Sequence, residues 1–115
     1  MPIRKRNVLR KRSSANQNRR VLTRAKRVLR AHLPEFREQY HVKSLGVFGS
    51  YLRGEQKKNS DLDVLVEFEQ SPTLFQYVHL QRAMSQMIGV NVDLVLKDTL
   101  KPAIGRRILS EVVTL

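Results

Sequence analysis

The 115-residue chain has no cysteine. Disulfides and thiolate metal sites are therefore excluded, and a reducing cytoplasm is the expected setting. No apolar run approaches the roughly 20 residues that span a bilayer. Nor does an apolar stretch near the start read as a secretion signal, so no membrane association is expected. Acid is missing from the first 30 residues, which carry twelve Arg or Lys. Residues 31–115 carry ten basic and ten acidic residues and sum to zero. The net charge of +12 thus sits in the N-terminal arm, and a basic face across the whole domain is excluded. Only three histidines occur, His32, His41 and His79, and their spacing fits no metal-ligand pattern.

What remains is the material of one ordinary domain with a modest core. Residues 1–18 are basic and polar and read as a flexible arm, leaving 19–115 as the folded domain. From Arg19, the residues Val21, Leu22, Ala25, Val28, Leu29 and Leu33 fall at helical spacing, until Pro34 interrupts the pattern. Val42–Ser50 reads as a strand closed by a Gly-Ser turn, followed by a short helical turn at Tyr51–Arg53 and a loop from Gly54 to Ser60. Asp61–Phe68 alternates, with Leu62, Val64, Val66 and Phe68 on one face and Asp61, Asp63, Leu65 and Glu67 on the other. A helix follows, with Ser71 as N-cap, Pro72 at its first position and Gly89 as its stop, its face drawn from Leu74, Tyr77, Val78, Met84 and Ile88. Val90–Asp98 is a third strand. A last helix places Leu100, Ile104, Ile108 and Val112 in phase. The order predicts an α/β (α+β) domain, a small mixed sheet of about three strands with flanking helices. The second and third strands flank a helix, which favours a parallel crossover, and the first two could pair antiparallel.

Two aspartates in a segment that otherwise reads as core strand need a reason. Asp61 and Asp63 point the same way, roughly 6–7 Å apart along the backbone. If the register sets Asp93 beside Asp63, three carboxylates converge. Without a cation they repel one another. With a divalent ion the cluster is favourable, and an oxygen-only donor set suits Mg²⁺, or Mn²⁺ in its place. Upstream, Gly49 lets the backbone approach a phosphate closely, and Ser50 adds a hydroxyl donor. Arg53, with Lys57 or Lys58, could neutralise outer phosphates. A lone Asp-X-Asp is ordinarily a solvated strand face, and a lone Gly-Ser an ordinary turn. Together they form the metal-plus-phosphate arrangement that phosphoryl or nucleotidyl transfer requires.

These residues match a family pattern. The stretch "GVFGSYLRGEQKKNSDLDVLVEF" with the later "VDLVLKD" resembles the minimal nucleotidyltransferases (MNT proteins), whose fold is shared with DNA polymerase β. The resemblance runs from about Val21 to Leu115. It implies that Gly49 and Ser50 hold the triphosphate of ATP, with Arg53 beside them. It implies that Asp61 and Asp63 ligate Mg²⁺, and that Asp93 completes the catalytic and metal-binding triad and helps activate the attacking hydroxyl. Relatives of this kind serve as antitoxins in modules with a HEPN-domain toxin, transferring AMP to a tyrosine of that toxin. The alternative is a catalytically silent module of the same fold that neutralises its partner by contact. The arm within residues 1–30 permits nucleic-acid binding, an organellar targeting role, or no specific role. The last is preferred because relatives can begin near Arg19. Apolar stripes on the helices imply burial against a partner, as a homo-oligomer or a hetero-oligomer.

Overall fold

In the first helix the apolar residues recur at three- and four-residue intervals, so the chain coils until something stops it. The computed structural model describes residues 2–57 and 60–115, with side chains described from Gln17 onward. Helix α1 spans Pro2–Tyr40. The helix expected to begin at Arg19, after a flexible arm, thus begins at Pro2. Neither glycine nor proline occurs between Ile3 and Leu33, and the Arg, Lys, Leu and Ala that fill this stretch are good helix formers. Pro34 also fails to end the helix. An internal proline removes one backbone bond and costs roughly 3 kcal/mol. Leu33 and Phe36 are buried on either side of it, and each buried side chain of this size contributes about 1.5–3 kcal/mol. The helix stops at His41, which takes a left-handed conformation with φ of 59°.

Strand β1 (Val42–Phe48) leads into the four-residue helix α2 (Ser50–Arg53), then β2 (Leu62–Phe68), α3 (Leu74–Ile88) and β3 (Val92–Leu96). A single 3-10 turn at Lys97–Thr99 precedes α4 (Pro102–Glu111), and β4 (Val113–Thr114) closes the chain. The sheet runs β3-β2-β1-β4, with β1 antiparallel to both β2 and β4 and β2 parallel to β3. The expected pairings of the first three strands hold. The fourth strand was not expected. Val112 was placed in the last helix but has extended angles, φ −62° and ψ 137°, and the two residues after it pair with Gly46 and Val47.

One face of the sheet carries the core. Ala25, Leu29 and Phe36 of α1 and Leu80, Met84 and Ile88 of α3 pack with Val47, Leu62, Val64, Val66, Val92 and Leu94. Leu80, Met84 and Ile88 recur every fourth residue, whereas Leu74, expected in the same stripe, is 76% exposed. The cap of α3 also differs from expectation. Thr73, not Ser71, is the N-cap, because its hydroxyl accepts from the Gln76 amide while the Gln76 side chain accepts from the Thr73 amide. That reciprocal pair satisfies two free donors, which Ser71 could not do from its position. Gly89 ends the helix as expected, in the left-handed region at φ 88°.

Helix α3 does a second job. Strand β3 lies at the sheet edge, and its outward N–H groups would otherwise be unpaired. The Val92 amide donates to Ser85 Oγ, and the Leu94 amide donates to Gln81 Oε1, both at 3.0 Å. Tyr77 Oη donates to the Leu94 carbonyl. The strand on which Asp93 sits is thus held on both sides.

Candidate active site

The register answers the question that the sequence posed. In the parallel β2–β3 ladder, Asp63 and Asp93 are direct partners, and on the other side of β2 Asp63 is paired with Phe48 at the end of β1. Asp63 thus lies beside Asp93 and next to the turn that Gly49 begins. Alternation along β2 sends Leu62 and Val64 into the core and Asp63 to the opposite, partly open face. Asp61 stands one residue before β2 and is exposed, as is Asp93.

Gly49 has φ 86° and ψ −157°, a conformation closed to side-chain-bearing residues. A Cβ at this position would also collide with the Asp63 carboxylate. The glycine is thus required twice, for its dihedral angles and for the close approach of the turn to Asp63. The turn is held by the Arg53 amide donating to the Gly49 carbonyl at 3.2 Å and the Glu55 amide donating to the Ser50 carbonyl at 2.9 Å. Ser50 opens α2 and is partly exposed, and Arg53 closes that helix.

The electrostatics follow from this placement. The Asp63 carboxyl is pushed up to about 6, first by burial, then by the charges of Asp93 and Asp61, with Arg53 opposing. Asp93 and Asp61 are therefore close enough to disfavour the charge on Asp63. Among the described residues the side chains do not stand as a closed cage of three or more ligands around an ion. The donor set nevertheless suits a hard cation. It offers oxygen only, it is negatively charged, and its central member is penalised for ionising without a counter-charge. Tyr77, whose hydroxyl is pushed up by burial and by Asp93, stays protonated and keeps its bond to β3.

Two clefts open on the Asp61 side. One of ≈ 720 Å³ is lined by Tyr51, Ser60, Ser85, Gln86, Gly89, Val90 and Asn91. Another of ≈ 400 Å³ runs along Asp61, Gln81, Arg82 and Val92 and shares Ser85, Gln86 and Asn91. Of the three carboxylates, Asp61 lines the second of these spaces.

Sequence reasoning placed Gly49, Ser50, Arg53, Asp61, Asp63 and Asp93, and the structure gathers all six around the ends of β1, β2 and β3. Lys57 is exposed in the loop, and Lys58 lies outside the described residues. One member of the site escaped: Glu111. Its Oε1 accepts from the Gly49 amide at 3.2 Å, and Arg53 Nη1 donates to Oε1 and Oε2 at 2.9 and 3.0 Å. Arg53 also donates to Glu55 at 3.0 Å. Nothing local distinguishes Glu111 from any other acid at a helix end. Gln81 and Ser85, which hold β3, were likewise visible only once the edge strand was known.

The nucleotidyltransferase domain profile matches residues 29–115. This chain belongs to the nucleotidyltransferase family. A protein adenylyltransferase, MntA of Thermococcus cleftensis, is 46% identical over 86 residues, covering 75% of this chain and 87% of its own length. A solved minimal nucleotidyltransferase is 33% identical with a TM-score of 0.67, covering 85% of this chain and 95% of that one. A toxin–antitoxin structure containing AMP-PNP shares the fold with a TM-score of 0.59, covering 80% of this chain and 69% of its own, at 21% identity. The MNT resemblance and the mixed-sheet fold are borne out, and in this nucleotidyltransferase Asp63 lies beside Asp93 and against Gly49.

Proposed function

We propose that this nucleotidyltransferase is a Mg²⁺-dependent protein adenylyltransferase that moves AMP from ATP to a tyrosine of a HEPN-domain toxin, as the antitoxin of a two-component module in the cytoplasm. The observation that carries the reading is the direct pairing of Asp63 with Asp93 on parallel strands, with Gly49 packed against Asp63. The 46% identity to a protein adenylyltransferase and the shared fold of the AMP-PNP-bound toxin–antitoxin structure support the choice of nucleotide and acceptor class.

The residues divide the work. The Gly49 amide, Ser50 hydroxyl and Arg53 guanidinium present donors to the triphosphate. Asp61, Asp63 and Asp93 would hold Mg²⁺, which when bound supplies charge neutralisation for the phosphates and the developing negative charge. In transfer, the acceptor oxygen bonds to the α-phosphorus, the bond to the bridging oxygen breaks, and pyrophosphate leaves with its electrons. The acceptor's proton needs a base, and the exposed carboxylate of Asp93 is assigned that role in this reading. Asp63 is largely ionised at pH 7 despite its raised value, so it is available as a ligand.

Incubation with labelled ATP, Mg²⁺ and the cognate partner should label the partner, and the Asp61→Asn/Asp63→Asn double substitution should abolish labelling. Neutralisation that survives that double substitution unchanged would leave the contact-only module as the correct account. The basic residues within 1–30 could add nucleic-acid binding, which would show as a steep salt dependence of binding to RNA or DNA.

A further inference from the structure

The groups that serve best for holding phosphate are already in use. The Gly49 amide and the Arg53 guanidinium converge on one carboxylate, Glu111, which receives three bonds of 3.2, 2.9 and 3.0 Å from them. An exposed Arg–Glu pair at a surface is ordinary and weak. The third bond is what sets this one apart. It comes from the main chain of Gly49, whose positive φ and close approach to Asp63 only glycine allows. An amide and a guanidinium closing on the oxygens of one anionic group form the donor set that recognises a phosphate.

We propose that Glu111 is a resident anion in the phosphate seat, and that nucleotide binds by taking Gly49 and Arg53 away from it. The proposal rests on the reading of Gly49 and Arg53 as triphosphate ligands. A triphosphate brings more charge and more acceptor oxygens than a single carboxylate, so it wins the exchange, but each binding event must break the Glu111 bonds. The exchange also has a structural reach. Glu111 is the last residue of α4, and Val113 and Thr114 of β4 are hydrogen-bonded to β1 immediately beyond it. Releasing its side chain unties the end of α4 from α2 while β4 stays on the sheet, so the C-terminal segment carries a report of whether nucleotide is bound.

The test is the affinity of the full chain for AMP-PNP with Mg²⁺, measured by calorimetry for the wild type and Glu111→Gln. Removing the charge while keeping the shape should tighten binding about three- to tenfold. Inorganic tripolyphosphate should show the same direction. In parallel, the amide signals of Gly49 and Val112 in the wild type should shift on adding AMP-PNP. Equal or weaker binding by Glu111→Gln, with the wild type binding normally, overturns the inference and leaves the nucleotidyltransferase reading standing. Absence of AMP-PNP binding by a folded wild type overturns both. Should Glu111→Gln fail to fold, the wild-type spectra decide: unmoved Gly49 and Val112 signals at saturating AMP-PNP refute the exchange.

Discussion

The face of the sheet under α1 and α3 and the face that carries Asp63 are built on opposite rules. The first is closed: Leu29, Leu62, Val64, Val66, Leu80 and Met84 have no exposed surface. The second is thin. Phe48 and Leu65 are buried there, but Asp63 and Asp93 share it, and a glycine backbone replaces a side chain next to them. The same strand, β2, supplies both faces by alternation. The dry face gives the stability that lets the wet face hold an unfavourable cluster of acids. Neither face could do the other's work.

That division can be broken from either side. Truncating Leu80 or Met84 to alanine should cost about 2–5 kcal/mol in chemical denaturation, while the molecules that remain folded keep their specific activity. Gly49→Ala should do the reverse. Strain at a positive φ costs roughly 1–3 kcal/mol, yet the added Cβ displaces the Asp63 carboxylate, so specific activity should fall far more than stability in matched assays. Between these lies the edge strand. Gln81→Leu leaves the Leu94 amide without its partner and should cost about 1–3 kcal/mol. It should also lower activity through Asp93, which distinguishes it from a core truncation of equal cost. The smallest effect belongs to a residue remote from both faces. Thr73→Ala should lower stability by about 1 kcal/mol with activity unchanged.

The comparison also explains what could be read from the chain. The alternation in "DLDVLVEF" is local, so both faces of β2 were legible, and the Gly49, Ser50, Asp61, Asp63 constellation came with them. The parallel pairing of the Asp93 strand followed from the crossover rule, whereas the register that sets Asp93 beside Asp63 stayed conditional on the sequence alone and is fixed by the ladder. The Thr73–Gln76 capping box was present in the sequence, but the Ser71-Pro72 signal masked it. Passage of α1 through Pro34 was not legible, since burial of Leu33 and Phe36 decides it and burial is a tertiary fact. The place of Glu111 was beyond local pattern altogether. It depends on β4 returning to β1, a pairing that spans most of the domain and rests on two residues.

The central claim is that Asp63 is a carboxylate held at a cost, which a cation relieves. Its carboxyl stands at about 6 in the fold, against about 4 in an unfolded chain. The folded form therefore binds the proton more tightly, and without metal its stability should decline as pH rises from about 4 to about 6 and not recover above that. The decisive measurement is thermal unfolding across pH 4–8, with and without Mg²⁺, for the wild type and Asp63→Asn. The account predicts that Mg²⁺ raises the melting temperature of the wild type above pH 6 and has little effect near pH 4, and that Asp63→Asn loses both the decline and the Mg²⁺ effect. Superimposable curves for the two proteins, with Mg²⁺ making no difference at any pH, would contradict it.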